Sequence, residues 1–308
     1  MRYRDAGVDI DRHWAVHREI ARFLSGERGL YTRWMSLSGA EVTLHVDGVG
    51  TKAILALEAD RLEVIGRDCI TVNVNDLVCD GFKPVAAVDY IAVEPQHLEK
   101  VPRLVSGAAS KAGELGIALL GGETAILPGV ITGIDVVCAV LGVRAARTRP
   151  PRPGDALIGL PSTGPHANGY SLLRRLFRRD ESICGSSAAE LLLAEVADYS
   201  AVLGAMKSGA VAGAVHVTGG GLRKLKKALG ELGAEISFEV PCLFREVVRR
   251  GVEPEEAYRV FNMGIGMVVY TERDRVQEAL RELESLRPAV IGTVMREGPL
   301  VVNGIAVA

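Results

Sequence analysis

The sequence of 308 residues lacks the patterns that mark several classes of protein. Its apolar runs are too short to span a membrane, and its first residues lack the apolar core of a signal peptide. The formal net charge is only −2, so no charge bias points to nucleic acid or to a membrane surface as a partner. The five cysteines form no CxxC pair, which predicts packed free thiols and argues against a disulfide framework or a zinc site. We therefore expect a cytoplasmic globular protein.

The chain is long enough for two domains, and hydrophobic residues make up 48% of it. Residues 147–155 (RTRPPRPGD) interrupt both helix and strand, because proline lacks a backbone N–H group and glycine favours turns. We place the boundary here, with an N-terminal domain over residues 1–148 and a C-terminal domain over residues 149–308. Strands alternate with helices in both parts, which predicts two α/β domains.

Apolar periodicity and capping signals give a coarse map of the elements. The predicted strands cover residues 42–46, 85–93, 117–120, 156–160, 235–240, 265–270, 289–294 and 301–307. The predicted helices cover residues 63–80, 97–115, 168–179, 188–207, 222–229 and 272–286.

The segment DGVGTK, residues 47–52, follows the first predicted strand and carries groups suited to a nucleoside triphosphate. Asp47 can hold Mg²⁺, the two glycines let backbone N–H groups approach phosphate, and Lys52 neutralises charge. The spacing differs from that of a Walker A loop, which needs four residues between its first glycine and Gly-Lys-Ser/Thr. The segment therefore predicts ATP handling without a P-loop.

Two further acidic positions occur where an apolar element contains or meets polar residues. Asn75 and Asp76 lie inside an otherwise apolar predicted helix, where a buried carboxylate needs a cation or hydrogen-bond donors. The alternative is a structural, hydrogen-bonded Asn-Asp pair. Glu123 follows a predicted strand within GGETA, residues 121–125, which can place a carboxylate at an active-site edge. An ordinary tight turn with Glu123 in solvent is the alternative there.

Two histidines lie in loops that precede predicted helices of the C-terminal half. His166 precedes Asn168, whose side chain is a candidate N-cap, and this loop is a candidate anion site. His216 precedes a run of three glycines, residues 219–221, which is a second candidate anion cradle. The alternatives are a surface histidine beside a cap and a core histidine beside a flexible hinge.

The ordered set of motifs resembles the phosphoribosylformylglycinamidine cyclo-ligase family, the AIR synthetases of purine biosynthesis. DGVGTK and VNDL are shared with a wider superfamily, whereas YRDAGVDI, GPHANGYSL and FNMGIGM resemble this family specifically. The motifs are YRDAGVDI (3–10), DGVGTK (47–52), VNDL (74–77), GGETA (121–125), GPHANGYSL (164–172), HVTGGG (216–221) and FNMGIGM (261–267).

The resemblance implies a reaction and an architecture. ATP would activate the formyl amide oxygen of formylglycinamidine ribonucleotide as a phosphate ester. A nitrogen would then close the ring, giving aminoimidazole ribonucleotide, ADP and phosphate. The implied cofactors are ATP and Mg²⁺. The implied architecture is two α/β domains, with the N-terminal domains of two subunits paired into a barrel-like homodimer core.

The resemblance also implies roles for individual residues. Asp47 and Asp76 would hold Mg²⁺. The implied catalytic residues are Lys52, Glu123, His166 and His216. The implied nucleotide-binding residues are Gly48, Gly50, Thr51, Lys52, Asn75, Thr124, Asn168, Thr218, Gly219 and Gly220.

The chain departs from the family pattern at three places. Residues 25–34 are shorter and poorer in glycine than the loop that the family carries before DGVGTK. Arg4 replaces the usual lysine, and Ile126 occupies a position where the family often has an acid. Two alternatives stay open: another ATP-using enzyme of the superfamily, such as thiamine-monophosphate kinase, and a nucleotide-binding regulator with weakened catalysis.

Overall fold

The computed structural model describes residues 2–307, which form two halves built on one large sheet each. The predicted mixed α/β class is confirmed. The first sheet ends at Arg144 and the second begins at Ala156, so the predicted boundary lies within the connection between them. A division into two domains at that point stays a proposal. No helix in residues 2–307 is long and apolar enough to cross a membrane.

The N-terminal half contains a six-stranded sheet with the order β1-β2-β3-β6-β4-β5. Its strands are β1 (Glu27–Arg28), β2 (Arg33–Leu37), β3 (Ala40–Gly48), β4 (Phe82–Val93), β5 (Ala118–Ile126) and β6 (Ile134–Arg144). Its helices are α1 (Ile10–Ile20), α2 (Lys52–Glu58), α3 (Leu62–Cys79) and α4 (Val101–Glu114). Short 3₁₀ helices cover Tyr3–Ala6, Ala21–Phe23 and Pro95–Lys100.

Helix α3 is nearly all buried, because it packs on the sheet, on α4 and on the C-terminal half. Two glycines allow the close approach of α3 and α4. A Cβ on Gly66 would come 2.0 Å from the Leu104 carbonyl oxygen, and one on Gly107 would come 2.1 Å from that of Glu63. The polar residues of α3 are therefore held in a fixed position between the two halves.

The other face of this sheet is open and apolar. Leu44 and Val46 on β3 are 72% and 61% exposed, and Val88 and Tyr90 on β4 are also exposed. The outward residues of β6 lie between them, since Leu44 pairs with Leu141 and Val88 pairs with Ala139. Alternation along each strand thus produces one covered face and one apolar, uncovered face.

The C-terminal half contains a seven-stranded sheet with the order β10-β12-β7-β13-β11-β14-β15. Its strands, with those of a small hairpin, are β7 (Ala156–Pro161), β8 (Ser182–Ile183), β9 (Ser186–Ser187), β10 (Gly213–His216), β11 (Gly233–Ile236), β12 (Ile265–Thr271), β13 (Ala289–Met295), β14 (Leu300–Val302) and β15 (Ile305–Ala306). Its helices are α5 (Tyr170–Leu176), α6 (Ala188–Leu192), α7 (Val202–Lys207), α8 (Arg223–Leu229), α9 (Cys242–Arg249), α10 (Pro254–Val260) and α11 (Val276–Glu282). Further 3₁₀ helices cover Arg273–Arg275 and Glu284–Leu286.

Several predicted elements differ from the structure. The predicted strand over 301–307 is two short strands, β14 and β15, which pair antiparallel across a turn. The predicted helix over 188–207 is two short helices, α6 and α7, because the loop between them gives its backbone groups to side chains of α3. The Val196 N–H donates to Asp68 Oδ1 at 2.7 Å, and the Tyr199 N–H donates to Asn75 Oδ1 at 3.0 Å. The predicted strand over 117–120 continues as β5 through GGETA, because parallel pairing with β4 satisfies its backbone.

The cysteine prediction is partly wrong. Cys184 and Cys242 form a disulfide that joins the β8–β9 turn to the first residue of α9. Cys69, Cys79 and Cys138 are buried free thiols, as predicted. The two cysteines are 58 residues apart in the sequence, and spacing alone does not reveal which chain segments meet in a fold. The sequence analysis therefore did not identify this disulfide.

Candidate active site

The centre of the site is the carboxylate of Asp76, which projects from α3 toward both halves of the molecule. His216, at the end of β10, donates from Nδ1 to Asp76 Oδ1 at 2.7 Å. His45, on the covered face of β3, places Nε2 3.4 Å from Asp76 Oδ2. Burial alone would raise the pKa of Asp76, but hydrogen bonds from His216 and His45 hold it well below its ordinary value. Asp76 is therefore a buried, ionised carboxylate.

His45 is itself held between two acceptors. Its Nδ1 donates to Asn73 Oδ1 at 2.7 Å, while its Nε2 faces Asp76. Burial opposes the charged imidazolium, but the bonds with Asp76 and Asn73 prevail and raise the pKa of His45. The sequence analysis missed His45. Its position on the same strand face as Asp47, two residues away, is the signal that identifies it.

Asp47 lies at the end of β3 and is electrostatically coupled to Asp76. Burial raises the pKa of Asp47, and the negative charge of Asp76 raises it further. Two carboxylates that repel one another in a buried site favour a cation between them. His45, two residues away on the same strand, lies 3.4 Å from Asp76, so both carboxylates of the predicted metal pair lie in the same buried region.

The donor set of this pair suits Mg²⁺ held jointly with a nucleotide. Within residues 2–307 no group of three or more His, Cys, Asp or Glu side chains is arranged to hold a metal ion. Mg²⁺ commonly takes one or two protein carboxylates and completes its shell with phosphate oxygens and water. Asp47 and Asp76 fit that pattern.

Asn75 ties the site to the loop between α6 and α7. Its Nδ2 donates to the Ala197 carbonyl at 2.9 Å and lies 3.5 Å from His216 Nε2. Its Oδ1 accepts from the Tyr199 N–H. The side chain predicted to contact nucleotide is therefore engaged in holding the loop and orienting His216.

His166 is 1% exposed and lies on the C-terminal side of the same buried region. Its Nε2 accepts from the Ala197 N–H at 3.4 Å, and its Nδ1 has no hydrogen-bond partner in the described chain. Its φ of +60° is unusual for a residue with a side chain. Gly266 makes room for the ring, because a Cβ there would come 2.5 Å from His166 Cε1. Burial, followed by the charges of His216 and Lys52, lowers the pKa of His166 well below its usual value.

The GPHANGYSL loop is positioned by the FNMGIGM segment. Gly169, with φ +77°, contacts the Phe261 ring so closely that a Cβ would lie 2.2 Å from Phe261 Cε1. Asn262 donates to the Gly164 carbonyl at 2.8 Å. The predicted N-cap at Asn168 is wrong: α5 begins at Tyr170, and its N-cap is Gly169, because the left-handed turn at that glycine starts the helix.

Lys52 does not face the Asp47–Asp76 pair. Its side chain is completely buried, and Nζ lies 2.6 Å from Asp68 Oδ2 and donates to the Ala194 carbonyl at 2.7 Å. The ammonium therefore links α2 and α3 to the α6–α7 loop. Its predicted contact with phosphate would require this buried ion pair to open. Asp68, which sequence reasoning missed, gave only the weak signal of an acid within an apolar helix.

Four other predicted residues lie in different surroundings. Thr51 approaches the C-terminal half, with Oγ1 3.2 Å from Ser171 Oγ. Gly48 permits close backbone packing, because a Cβ would lie 2.7 Å from the Val136 carbonyl oxygen. Glu123 and Thr124 lie on the exposed edge strand β5, and no hydrogen bond or ion pair joins them to Asp76 in the described chain. Their predicted roles stay predictions.

The HVTGGG segment lies between α1, α8 and the GPHANGYSL loop. Thr218 Oγ1 accepts a hydrogen bond from Lys224 Nζ. A Cβ on Gly219 would come 3.1 Å from Asn168 Oδ1, and one on Gly220 would come 2.9 Å from the Trp14 ring. Backbone groups and a lysine thus lie beside His216 and the Asp76 carboxylate.

Comparison with known proteins agrees with the predicted resemblance. Residues 32–144 match the family described as AIR synthase related protein, N-terminal domain, and residues 152–304 match the corresponding C-terminal domain. The phosphoribosylformylglycinamidine cyclo-ligase of Saccharolobus solfataricus is 37% identical over 291 residues, which cover 92% of this chain and 90% of that protein. The protein of the same name from Thermococcus kodakarensis is 36% identical, covering 92% of both chains.

Solved structures show the same fold at lower sequence identity. Thiamine monophosphate kinase from Aquifex aeolicus superimposes with a TM-score of 0.71 at 16% identity, covering 95% of this chain and 97% of that chain. A protein from Thermus thermophilus, tt0281, gives a TM-score of 0.69 at 17% identity, covering 96% of this chain and 97% of that chain. These likenesses concern the fold alone.

Proposed function

Because this chain belongs to the phosphoribosylformylglycinamidine cyclo-ligase family, we propose that it closes the ring of formylglycinamidine ribonucleotide at the expense of ATP. The products are aminoimidazole ribonucleotide, ADP and phosphate. The observation that carries the proposal is the buried Asp76–His216 contact of 2.7 Å, beside Asp47. It joins the VNDL and HVTGGG motifs of the two halves in one charged site.

The residues of the site would contribute positioning, charge neutralisation and hydrogen bonding to the substrate. The terminal phosphoryl group of ATP passes to the formyl amide oxygen, a substrate nitrogen attacks the activated carbon, and phosphate leaves. Asp47 and Asp76 would hold Mg²⁺, which would supply charge neutralisation for the phosphates. His216 and His45 keep Asp76 ionised, and Asn75 fixes the loop that carries Ala197.

His166 is the residue best placed to hydrogen-bond the reacting part of the substrate. Its lowered pKa keeps the imidazole neutral near pH 7. Its Nδ1 has no hydrogen-bond partner in the described chain, and its Nε2 is oriented by the loop between α6 and α7. Because Nε2 accepts from a backbone N–H, the proton of the neutral ring is on Nδ1, and this N–H is free to donate a hydrogen bond to the substrate.

The open face of the N-terminal sheet supports a homodimer. Its exposed apolar residues extend across β3, β6 and β4, and a continuous patch of this kind marks an interaction surface. A second copy of the chain would cover it and form the barrel-like core that the family resemblance implies. A cytoplasmic location is proposed with the same function.

A steady-state assay tests the function. Purified protein with ATP, Mg²⁺ and formylglycinamidine ribonucleotide should release phosphate and form ADP. Thiamine monophosphate in place of the ribonucleotide should not support ADP formation. Asp76→Asn should lower kcat at least about 100-fold with the fold intact, because it removes a metal-binding charge. Asp180→Asn, a matched change in an exposed surface pair, should have no effect.

The two alternatives predict different results. A kinase of the superfamily would consume ATP with thiamine monophosphate, and a nucleotide-binding regulator would bind ATP without releasing phosphate. Near-normal activity in Asp76→Asn would remove Asp76 from the metal-binding role while leaving the enzyme activity itself in place.

A further inference from the structure

Three cations beside the site have no carboxylate partner in the described residues. They are Arg28 at the end of β1 and Lys224 and Lys227 on α8. Their neighbours on α8 are engaged: Arg223 forms an ion pair with Asp11 at 3.0 Å, and Lys226 donates to the Leu232 and Gly298 carbonyls. We propose that Lys224, Lys227 and Arg28 form a phosphoryl-binding subsite. The proposal rests on the proposed function, because the ligand is one of its two phosphorylated substrates.

Lys224 is held in place by two contacts. Its Nζ donates to Thr218 Oγ1 of the HVTGGG segment and lies 4.9 Å from the centre of the Tyr31 ring. A cation over an aromatic face is stabilised without losing its charge to a carboxylate. The ammonium therefore keeps its positive charge available to an anion.

Tyr31 connects Lys224 to the centre of the site. Its Oη donates to the His216 carbonyl at 2.6 Å, and the His216 ring contacts Asp76. Tyr31 belongs to a segment that Asp80 fixes, since the Leu30 and Thr32 N–H groups donate to that carboxylate at 2.9 and 2.7 Å. The shortened loop before DGVGTK thus presents an aromatic platform instead of glycine N–H groups.

The three positive charges of the cluster repel one another when no anion is bound. Burial lowers the pKa of Lys227, and the positive charges of Lys224 and Arg28 lower it further. Lys227 Nζ makes one long hydrogen bond, 3.4 Å, to the Leu30 carbonyl. Asp80 and Asp76 offset part of this repulsion, and a bound anion would offset more of it.

The position of the cluster identifies the anion. Lys224 is bonded to Thr218, two residues after His216, and it packs on Tyr31, whose hydroxyl donates to the His216 carbonyl. Since the His216 ring contacts Asp76, the ammonium lies on the His216 side of the proposed Mg²⁺ pair. A group that meets Mg²⁺ on one side and lysines on the other is a phosphoryl group. Lys52, buried against Asp68, does not occupy this space.

Equilibrium binding without turnover tests the subsite. A non-hydrolysable ATP analogue with Mg²⁺, and separately formylglycinamidine ribonucleotide, are titrated calorimetrically into the full chain and into Lys224→Met. The variant should bind one of the two ligands at least tenfold more weakly, with a shallower dependence of affinity on salt. Loss for the ATP analogue assigns the subsite to the triphosphate, and loss for the ribonucleotide assigns it to the 5′-phosphate.

Matched variants separate binding from structure. Lys207→Met removes an exposed lysine from α7 and should leave both affinities unchanged. Tyr31→Phe keeps the ring under Lys224 and should retain more affinity than Tyr31→Leu. The melting temperature of Lys224→Met should change little, because relieved repulsion offsets the lost contacts with Thr218 and Tyr31. If that variant misfolds, Lys227→Met replaces it in the titration.

Unchanged affinity for both ligands in Lys224→Met, within twofold, overturns the subsite. Because the titrations need no catalysis, this result is independent of the phosphate-release assay. An inactive protein whose ATP affinity depends on Lys224 would retain the subsite and lose the proposed reaction.

Discussion

The two sheets of this molecule are covered to different extents. Strands β7 and β12 in the C-terminal sheet are buried almost throughout, whereas β3 and β4 in the N-terminal sheet alternate between buried and exposed residues. A strand covered on both faces is packed entirely within its own chain. A strand with one apolar open face leaves that face to be covered by another surface. The C-terminal sheet thus supports the fold, and the N-terminal sheet supports the fold with one face and assembly with the other.

The largest effect on stability is expected when a charge is placed on a strand that is buried on both faces. Val268 on β12 is 0% exposed, so Val268→Lys would bury an ammonium without a partner. We expect a loss of roughly 5 kcal/mol or more in the free energy of unfolding, enough to prevent folding. Circular dichroism and thermal melts measure it. A melting temperature close to that of the parent would contradict the view that β12 is covered on both faces.

The two halves also differ in their cysteines. Reduction of the disulfide should lower the stability by an intermediate amount. The disulfide between Cys184 and Cys242 closes a loop of 58 residues in the C-terminal half, whereas the N-terminal half has buried thiols. In the chain-entropy account such a crosslink is worth up to about 4 kcal/mol. Reductant should therefore lower the denaturant midpoint.

The double variant Cys184→Ser/Cys242→Ser provides the control for this effect. It should start at the lowered midpoint and show no further change when reductant is added. If reductant leaves the midpoint of the parent unchanged, the disulfide makes no net contribution to stability. The three buried thiols should react slowly with thiol reagents in both proteins, because the fold covers them.

Much of the fold was predictable because strand alternation and loop composition are local properties. The predicted strands near β3, β4, β7, β12 and β13 are present, and the family resemblance is confirmed by relatives that cover most of the chain. The metal pair was suggested by two motifs in which a carboxylate occurs in an apolar setting. Whether Asp47 and Asp76 bind Mg²⁺ stays a prediction.

The missed features depend on contacts between distant parts of the chain. The DGVGTK motif predicts that Lys52 is available for phosphate, yet Asp68 and the Ala194 carbonyl bury its ammonium. The helix predicted over 188–207 is interrupted because α3 side chains bind its backbone. Tyr31 and Lys224 are 193 positions apart (224 − 31) and meet only in the folded chain. Local patterns reveal candidate chemical groups, whereas the tertiary structure decides which of them are free.

The smallest effect on stability is expected from the same substitution on the open sheet. Val46 is 61% exposed, so the ammonium of Val46→Lys remains in water when the chain is alone, and the free energy of unfolding should change by no more than about 0.5 kcal/mol. Association should respond strongly, because two copies of the face would bring unpaired lysines together in an apolar contact. Sedimentation velocity should show a dimer for the parent and a monomer for the variant. Arg178→Lys, in an exposed surface pair, is the control and should leave the dimer intact. A monomeric parent would refute pairing altogether, while a dimeric Val46→Lys would move the interface away from β3 and leave the apolar face of this sheet to a different partner.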